Sequence, residues 1–298
     1  MKLLDKLYKA FWNGMVKGND DKRMSKQTLP EGIAAITDVP YVDDGKRAHL
    51  LDFYYPENTE GKLPVVIDIH GGGLMYAYKE LNKNYCYNIA KRGFAVINVS
   101  YSLAPDDRYP ECLKDVMLAL KWIGENIEKY SFCDKNRTYI TGDSAGGFLA
   151  AYACLLCTSE ELRNVYGVEK PDLELRALGA TSGMFEMNVS LAALLSPGVF
   201  GKGGLKKSKY RDYVDFNKIV PMGKLPPCYL VTSSEDMIHG STIAFKNILD
   251  KEGIEYELDD FPKCKGVKLE HVFSVLYPIE YEQSVTAIDH MTEFFLSR

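Results

Sequence analysis

The stretch "TYITGDSAGGFLAAY", residues 138 to 152, opens as a β-branched and aromatic run and closes in small and apolar residues at helical spacing. Between the two halves stand Gly142, Asp143, Ser144, Ala145 and Gly146. A chain that passes straight from strand to helix forces the residue at the turn into a strained backbone conformation and throws its side chain out beyond the sheet. Side chains two positions away would collide, so glycine at 142 and 146 leaves the room the turn needs. Ser144 also falls at a helix N-terminus, where backbone N–H groups and the positive end of the helix dipole face any negative charge that develops there. A G-x-S-x-G pattern alone is often only a tight turn. Its strand-before, helix-after setting points to a nucleophile.

The rest of the chain has the same rhythm. Residues 49–57, 63–73, 94–101, 137–142, 177–183, 227–234 and 256–261 read as strands, and sequence of helical length or pattern lies between most of them. Residues 80–92 read as a helix. From Pro110 onward Leu113, Met117, Leu120, Ile123 and Ile127 recur every three or four residues, which predicts another. Alternating strands and helices imply right-handed crossovers and a mostly parallel sheet flanked by helices, an α/β architecture. Length alone, at about 150 residues per domain, allows one large α/β domain or two small ones; a single domain over 1–298 is expected, with the alternation holding for most of the length. Residues 184–224 are too long for an ordinary connection and are expected to form part of a small cap. The "GKGG" within them lacks the Ser/Thr and earlier glycine of a phosphate loop, and its lysines read as a solvated face.

The net charge of −5 argues against a nucleic-acid-binding surface. Seven cysteines lie without metal-ligand spacing; Cys154 and Cys157 fall inside a buried helical pattern and read as core. The simplest setting for them is a reduced, cytoplasmic one. The first sixteen residues lack the apolar run of a signal peptide, being broken by Asp5, Lys6 and Lys9. Leu3, Leu4, Leu7, Phe11 and Met15 instead share one face of a helix, expected to pack on its own domain, with contact at a membrane surface the lesser alternative. No stretch has the apolar length to span a bilayer.

A serine hydroxyl needs a base, and the base an orienting acid. In a strand–turn–helix setting of this kind they follow the serine in the order acid, then histidine. His239, His271 and His290 lie beyond Ser144. His290 sits in the final helix pattern and reads as structural, whereas His271 lies in a loop between the last strand and the last helix and is assigned as base. Asp236, in "LVTSSEDMIHG" after the preceding strand, is assigned as acid. His239 remains the alternative base and Glu235 the alternative acid, with Asp259 and Asp260 weaker candidates. The glycines of "IHGGG", 69–73, end an early buried strand and let backbone N–H groups approach a ligand; with the N–H of Ala145 they can stabilise an oxyanion.

"HGGG" at 70–73, "YSLAPDDRYP" at 101–110, "GDSAGG" at 142–147, "SSEDMIH" at 233–239 and "EHVF" around His271 together resemble the hormone-sensitive-lipase-like branch of the α/β-hydrolase esterases. The resemblance covers roughly residues 48–296. It implies an α/β-hydrolase fold with Ser144 as nucleophile, Asp236 as acid and His271 as base, and with Gly72, Gly73 and Ala145 supplying the oxyanion N–H groups. His70 would support the loop and Asp143 would hold the loops around the elbow. The family's cap corresponds to about residues 1–30 and 184–224. Leu74, Ser102 and Met237 stand where members commonly carry an aromatic residue, an arginine and a proline, and these departures leave the triad residues in place.

These readings converge on a serine carboxylesterase that hydrolyses small, short-acyl esters through an acyl-enzyme, requires no cofactor or metal, and meets neither nucleic acid nor a bilayer interior. A homo-oligomer is compatible with all of them. An aryl-formamidase, a feruloyl esterase or an acetyl-sugar esterase would use the same residues. A binding module that has lost catalysis would lack a triad member, and all three are present.

Overall fold

In a computed structural model that describes residues 2–187 and 190–298, eight strands form one sheet: β1 (Ile33–Pro40), β2 (Leu50–Pro56), β3 (Leu63–Ile69), β4 (Ala95–Val99), β5 (Cys133–Asp143), β6 (Leu178–Thr181), β7 (Cys228–Ser233) and β8 (Tyr256–Phe261). Their order is β1-β2-β4-β3-β5-β6-β7-β8. The β1–β2 and β2–β4 pairings are antiparallel and the other five are parallel. This is the expected α/β-hydrolase sheet, with parallel strands that need helical crossovers and so acquire helices on both faces.

The helices are α1 (Lys2–Phe11), α2 (Lys17–Met24), α3 (Lys83–Ala90), α4 (Glu111–Asn126), α5 (Ala145–Thr158), α6 (Glu160–Tyr166), α7 (Ser190–Phe200), α8 (Phe216–Ile219), α9 (His239–Glu252), α10 (Phe273–Leu276) and α11 (Glu282–Leu296). Strand side chains alternate between two cores, as a period of two requires. Val65, Ile67 and Ile69 of β3 join Leu113 and Leu120 of α4, Phe148 of α5 and Phe245 of α9. Val66 faces the opposite way, with Ile89 of α3, Phe273 of α10 and Ile288 and Phe294 of α11. Helix α5 is apolar all round and buried from Ala145 to Cys157, because it is wedged between sheet and neighbouring helices rather than lying on the surface. Cys154 and Cys157 are free thiols within it.

Two elements differ from the sequence-based expectation. Strand β1 is an edge strand with a register irregularity between Ile36 and Val39 and a weak burial alternation, so its "IAAITDVP" carried little strand signal. The first helix packs with a different face from the one the apolar stripe implied. Leu3, Leu7 and Phe11 are exposed, while Tyr8 and Trp12 pack on the core. Aromatic rings with polar tips serve as the inward face here, a choice that a count of aliphatic residues misses. A π-helical turn, Trp12–Val16, joins α1 to α2.

The N-terminal segment arches over the C-terminal edge of the sheet. Asp5 receives both bonds of Arg108 Nη2, at 2.8 and 3.0 Å. At the far end, Gln27 and Arg23 donate to the Leu276 carbonyl at 2.6 and 3.0 Å. Residues 184–224 hold α7, α8 and short 3-10 turns, and α7 lies against α1. Gly198 of α7 permits that approach, since a Cβ there would stand 2.9 Å from the Tyr8 ring.

Candidate active site

Strand β5 runs directly into Ser144, whose φ of +51° and ψ of −116° place it in a region that costs a residue with a side chain about 1–3 kcal/mol. Packing holds it there. A Cβ on Gly142 would lie 2.4 Å from the Gly146 carbonyl carbon, and one on Gly146 would lie 1.8 Å from the Ile69 carbonyl oxygen. Both glycines are therefore needed for the helix to start against β3. The Ser144 N–H donates to Thr181 O at 2.9 Å, tying the turn to the end of β6.

Ser144 Oγ stands 2.9 Å from His271 Nε2, and His271 Nδ1 stands 2.9 Å from Asp236 Oδ1. Asp236 accepts at Nδ1, so the imidazole carries its proton there and leaves Nε2 free to accept from the hydroxyl. Burial works to raise the Asp236 pKa, but the hydrogen bond and charge of His271, with the Ser182 hydroxyl and the Ile238 N–H, outweigh it and hold the carboxyl below its ordinary value. The histidine loop is pinned on both sides. The Ser233 hydroxyl donates to Leu269 O, the Leu269 N–H donates to Glu235 Oε2 at 3.1 Å, and the Val272 N–H donates to Ser182 Oγ at 3.2 Å.

The alternative candidates fall elsewhere. Glu235 holds the histidine loop and does not meet the imidazole. His239 bonds Asp260 at 3.0 Å, and His290 bonds Asp259 at 3.0 Å.

The glycine loop lies beside the elbow. Gly72 has φ +101° and Gly73 has φ +61°. Glycine at 72 is obligatory, because a Cβ would meet Tyr76 O at 2.0 Å. Neither amide N–H donates a hydrogen bond among the described residues, and Ala145 opens α5, where an N–H has no intrahelical acceptor. Three donors are thus uncommitted around Ser144. His70 stacks on Tyr101, ring centroids 4.2 Å apart, with Nδ1 2.9 Å from Gly71 O. Its burial drives the pKa down to about 4, so it stays neutral in the loop's support. Tyr101 donates its hydroxyl to His70 O at 2.8 Å, and Asp143 accepts from the Gly71 N–H at 2.9 Å.

Three residues of the site went unmarked in the sequence reading. Ser182, with φ +51°, bridges Asp236 to the loop that carries His271. Asn82 bonds Asp143 at 2.8 Å. Trp12 reaches Gly73, since a Cβ on that glycine would lie 3.3 Å from Trp12 Cζ2 and 3.2 Å from Leu195 Cδ1. None belongs to a short motif; only a tryptophan in an otherwise Lys/Leu-rich first helix could have drawn notice. A cavity of about 760 Å³ opens at the other end of the strands, around Lys135, Arg176 and Pro226. It touches none of these groups.

The chain is similar to known proteins in both sequence and fold. Residues 51–190 match the family described as BD-FAE. The chain is 26% identical over 255 residues to the carboxylesterase NlhH of Mycobacterium tuberculosis, covering 80% of this chain and 73% of that protein. It superposes with a TM-score of 0.92, at 26% identity, on esterase B from Lactobacillus rhamnosis inhibited by a tributyrin phosphonate, over 99% of this chain and 95% of that one. A bacterial heroin esterase shares the fold, with a TM-score of 0.73 at 22% identity over 96% of this chain and 92% of that one. The chain has the α/β-hydrolase fold and is a carboxylic ester hydrolase, similar to esterases of the hormone-sensitive-lipase-like kind.

Proposed function

We propose that Ser144, His271 and Asp236 carry out ester hydrolysis, with the N–H groups of Gly72, Gly73 and Ala145 as the oxyanion hole. Ser144 Oγ attacks the ester carbonyl carbon while its proton passes to His271 Nε2. The carbonyl oxygen becomes an oxyanion and is received by the uncommitted N–H groups, which stabilise the tetrahedral species by several kcal/mol in such sites. Collapse expels the alcohol, protonated by His271, and leaves Ser144 acylated. A water then gives its proton to His271 and attacks the acyl carbonyl; the second collapse returns the proton to Ser144 and releases the acid. Asp236 keeps the imidazole in the required tautomer and balances its transient positive charge.

The observation that carries this reading is the pair of 2.9 Å contacts linking hydroxyl, imidazole and carboxylate beside three free N–H donors. Short acyl chains fit best, because Trp12 and Leu195 stand against Gly73 where a longer chain would run. The tributyrin phosphonate carried by esterase B, a structural relative, has the same short-chain character. The two segments about 1–30 and 184–224 act as the cap of a single domain. Among the described residues, no helix is long and apolar enough to cross a membrane. Seven unpaired cysteines suit a reducing, cytoplasmic setting.

The test is covalent labelling. A fluorophosphonate should modify the native protein once, on Ser144, with loss of esterase activity. Native protein that stays unlabelled while a control esterase is labelled rejects Ser144 as nucleophile.

A further inference from the structure

Beneath the oxyanion loop lies a buried acid pair that the reaction as written does not use. Asp68 on β3 and Asp143 at the end of β5 both accept from one nitrogen, Asn82 Nδ2, at 2.9 and 2.8 Å. Asp143 Oδ1 also accepts from the Gly71 N–H at 2.9 Å. Gly71 presses on that carboxylate so closely that a Cβ there would stand 2.4 Å from Asp143 Oδ2. One side-chain amide thus joins the strand that feeds the oxyanion glycines to the residue that precedes the nucleophile. We infer that Asn82, seated on a protonated Asp68, is a positioning residue that holds the Gly71–Gly73 loop against the elbow through Asp143, and that ionisation of Asp68 releases this hold.

The hydrogen-bond inventory favours a proton on Asp68. The residue is fully buried, and its Oδ1, like Asn82 Oδ1, has no conventional donor among the described residues. A carboxylate in that state would bury a charge with half of its acceptor capacity empty, whereas a neutral carboxyl loses much less. Among the described residues no lysine or arginine pairs with either acid. The groups that face Asp68 are Asp143 from β5, Cys86 and Tyr85 from α3, and Tyr101 from the loop after β4. Asn98 of β4 and Thr141 of β5 are its register neighbours. Burial first, then the charge of Asp143, push the Asp68 pKa up to about 8, against smaller opposing effects from Asn82 and Cys86. Asp143 is itself raised by burial, opposed by Asn82, His271 and the Gly71 N–H. Two anions drawing on one amide repel each other, and the movable partner is the Asp143 carboxylate that anchors Gly71. A shift there displaces N–H donors that must meet the oxyanion closely, so the loss should fall on turnover rather than on substrate binding.

This inference rests on the esterase reading, and its test separates the two. kcat and KM for p-nitrophenyl acetate are measured from pH 6 to 10, with background hydrolysis subtracted, for the native protein, Asp68→Asn and Asn82→Ala. Each is first shown to take up a fluorophosphonate at Ser144. The native kcat should fall about tenfold between pH 7 and pH 9.5 with KM within about threefold. In Asp68→Asn, a neutral isostere, the ratio of kcat at pH 9.5 to kcat at pH 7 should stay above about one half. Asn82→Ala should lower kcat at least tenfold at pH 7 with little change in KM. A native alkaline limb that is absent, or that persists at the same pH in Asp68→Asn, overturns the inference. So does an Asn82→Ala variant that loses thermal stability but keeps its kcat. If Asn82→Ala does not fold, the Asp68→Asn ratio decides alone. Native protein that neither labels nor hydrolyses the ester defeats the esterase reading instead.

Discussion

Trp12 lies flat on Tyr76, ring centroids 5.3 Å apart and planes 5° from parallel, and its edge reaches the space a side chain on Gly73 would occupy. The stack is fastened from behind, where the Tyr76 hydroxyl donates to Asp20 Oδ2 at 3.0 Å. A residue near the start of the chain is thereby built into the wall beside the Gly71–Gly73 loop. Trp12→Ala removes that wall. It should raise kcat/KM for octanoate relative to acetate esters by about tenfold, within the range that one or two methylenes are worth in an apolar pocket. The p-nitrophenyl ester series measures this, and an unchanged chain-length profile excludes Trp12 from the acyl site.

The strain at Ser144 separates stability from activity. Ser144→Ala should abolish turnover and labelling without changing the fold. Ser144→Gly should also be inactive, yet glycine tolerates φ +51° at no steric cost, so it should be about 1 kcal/mol more stable than the alanine variant, less the entropy glycine loses on folding. Thermal melts of the two variants give the comparison. An alanine variant that is the more stable of the two would mean the turn is unstrained.

Asp236→Asn should lower kcat by roughly 10³–10⁴-fold, because the amide cannot balance the imidazolium and favours the wrong tautomer. Its effect on stability depends on pH. The folded pKa of Asp236 lies below the unfolded one, so its contribution is fully present above the unfolded value near 4 and is lost as pH falls through the folded value. The stability gap between native and Asp236→Asn protein should therefore narrow below about pH 4. Denaturant melts at pH 7 and pH 3 that show an equal gap would contradict this.

His271→Ala should cost nearly as much turnover as loss of the serine, since triad members act as a unit. His239→Ala should leave kcat within about threefold, because that ring bonds Asp260 on the neighbouring strand. The reverse ranking in steady-state kinetics would mean the wrong histidine has been chosen as base.

Two glycines give a packing test. Gly146→Ala puts a methyl group 1.8 Å from the Ile69 backbone oxygen, so it should prevent folding or cost several kcal/mol. Gly240→Ala, on α9 with nothing within 4 Å of the added carbon, should stabilise by about 0.5–1 kcal/mol. Melting temperatures of the pair check both.

Motifs whose meaning is a backbone constraint were readable in the linear chain. Gly142 and Gly146 flank Ser144 because the turn admits nothing larger, and "VVIDIHGGG" is apolar because β3 is buried on both faces. Such requirements lie within a few residues of one another. What the sequence left open depended on pairing across distance. Asp236 and His271 are 35 residues apart, and His271 and Ser144 are 127 apart. Only the strand order that brings the ends of β5, β7 and β8 to one edge decides that Asp236 meets the imidazole while Glu235 turns to Leu269. The inward face of the first helix was decided the same way, by Arg108, Tyr76 and Gly198 across the gap rather than by the helix's own aliphatic stripe. The bond from Asn82 to two carboxylates was equally invisible, since asparagine carries no periodic signal and its partners come from different strands. Local sterics are written residue by residue, whereas a hydrogen bond between distant segments exists only once the whole sheet has closed.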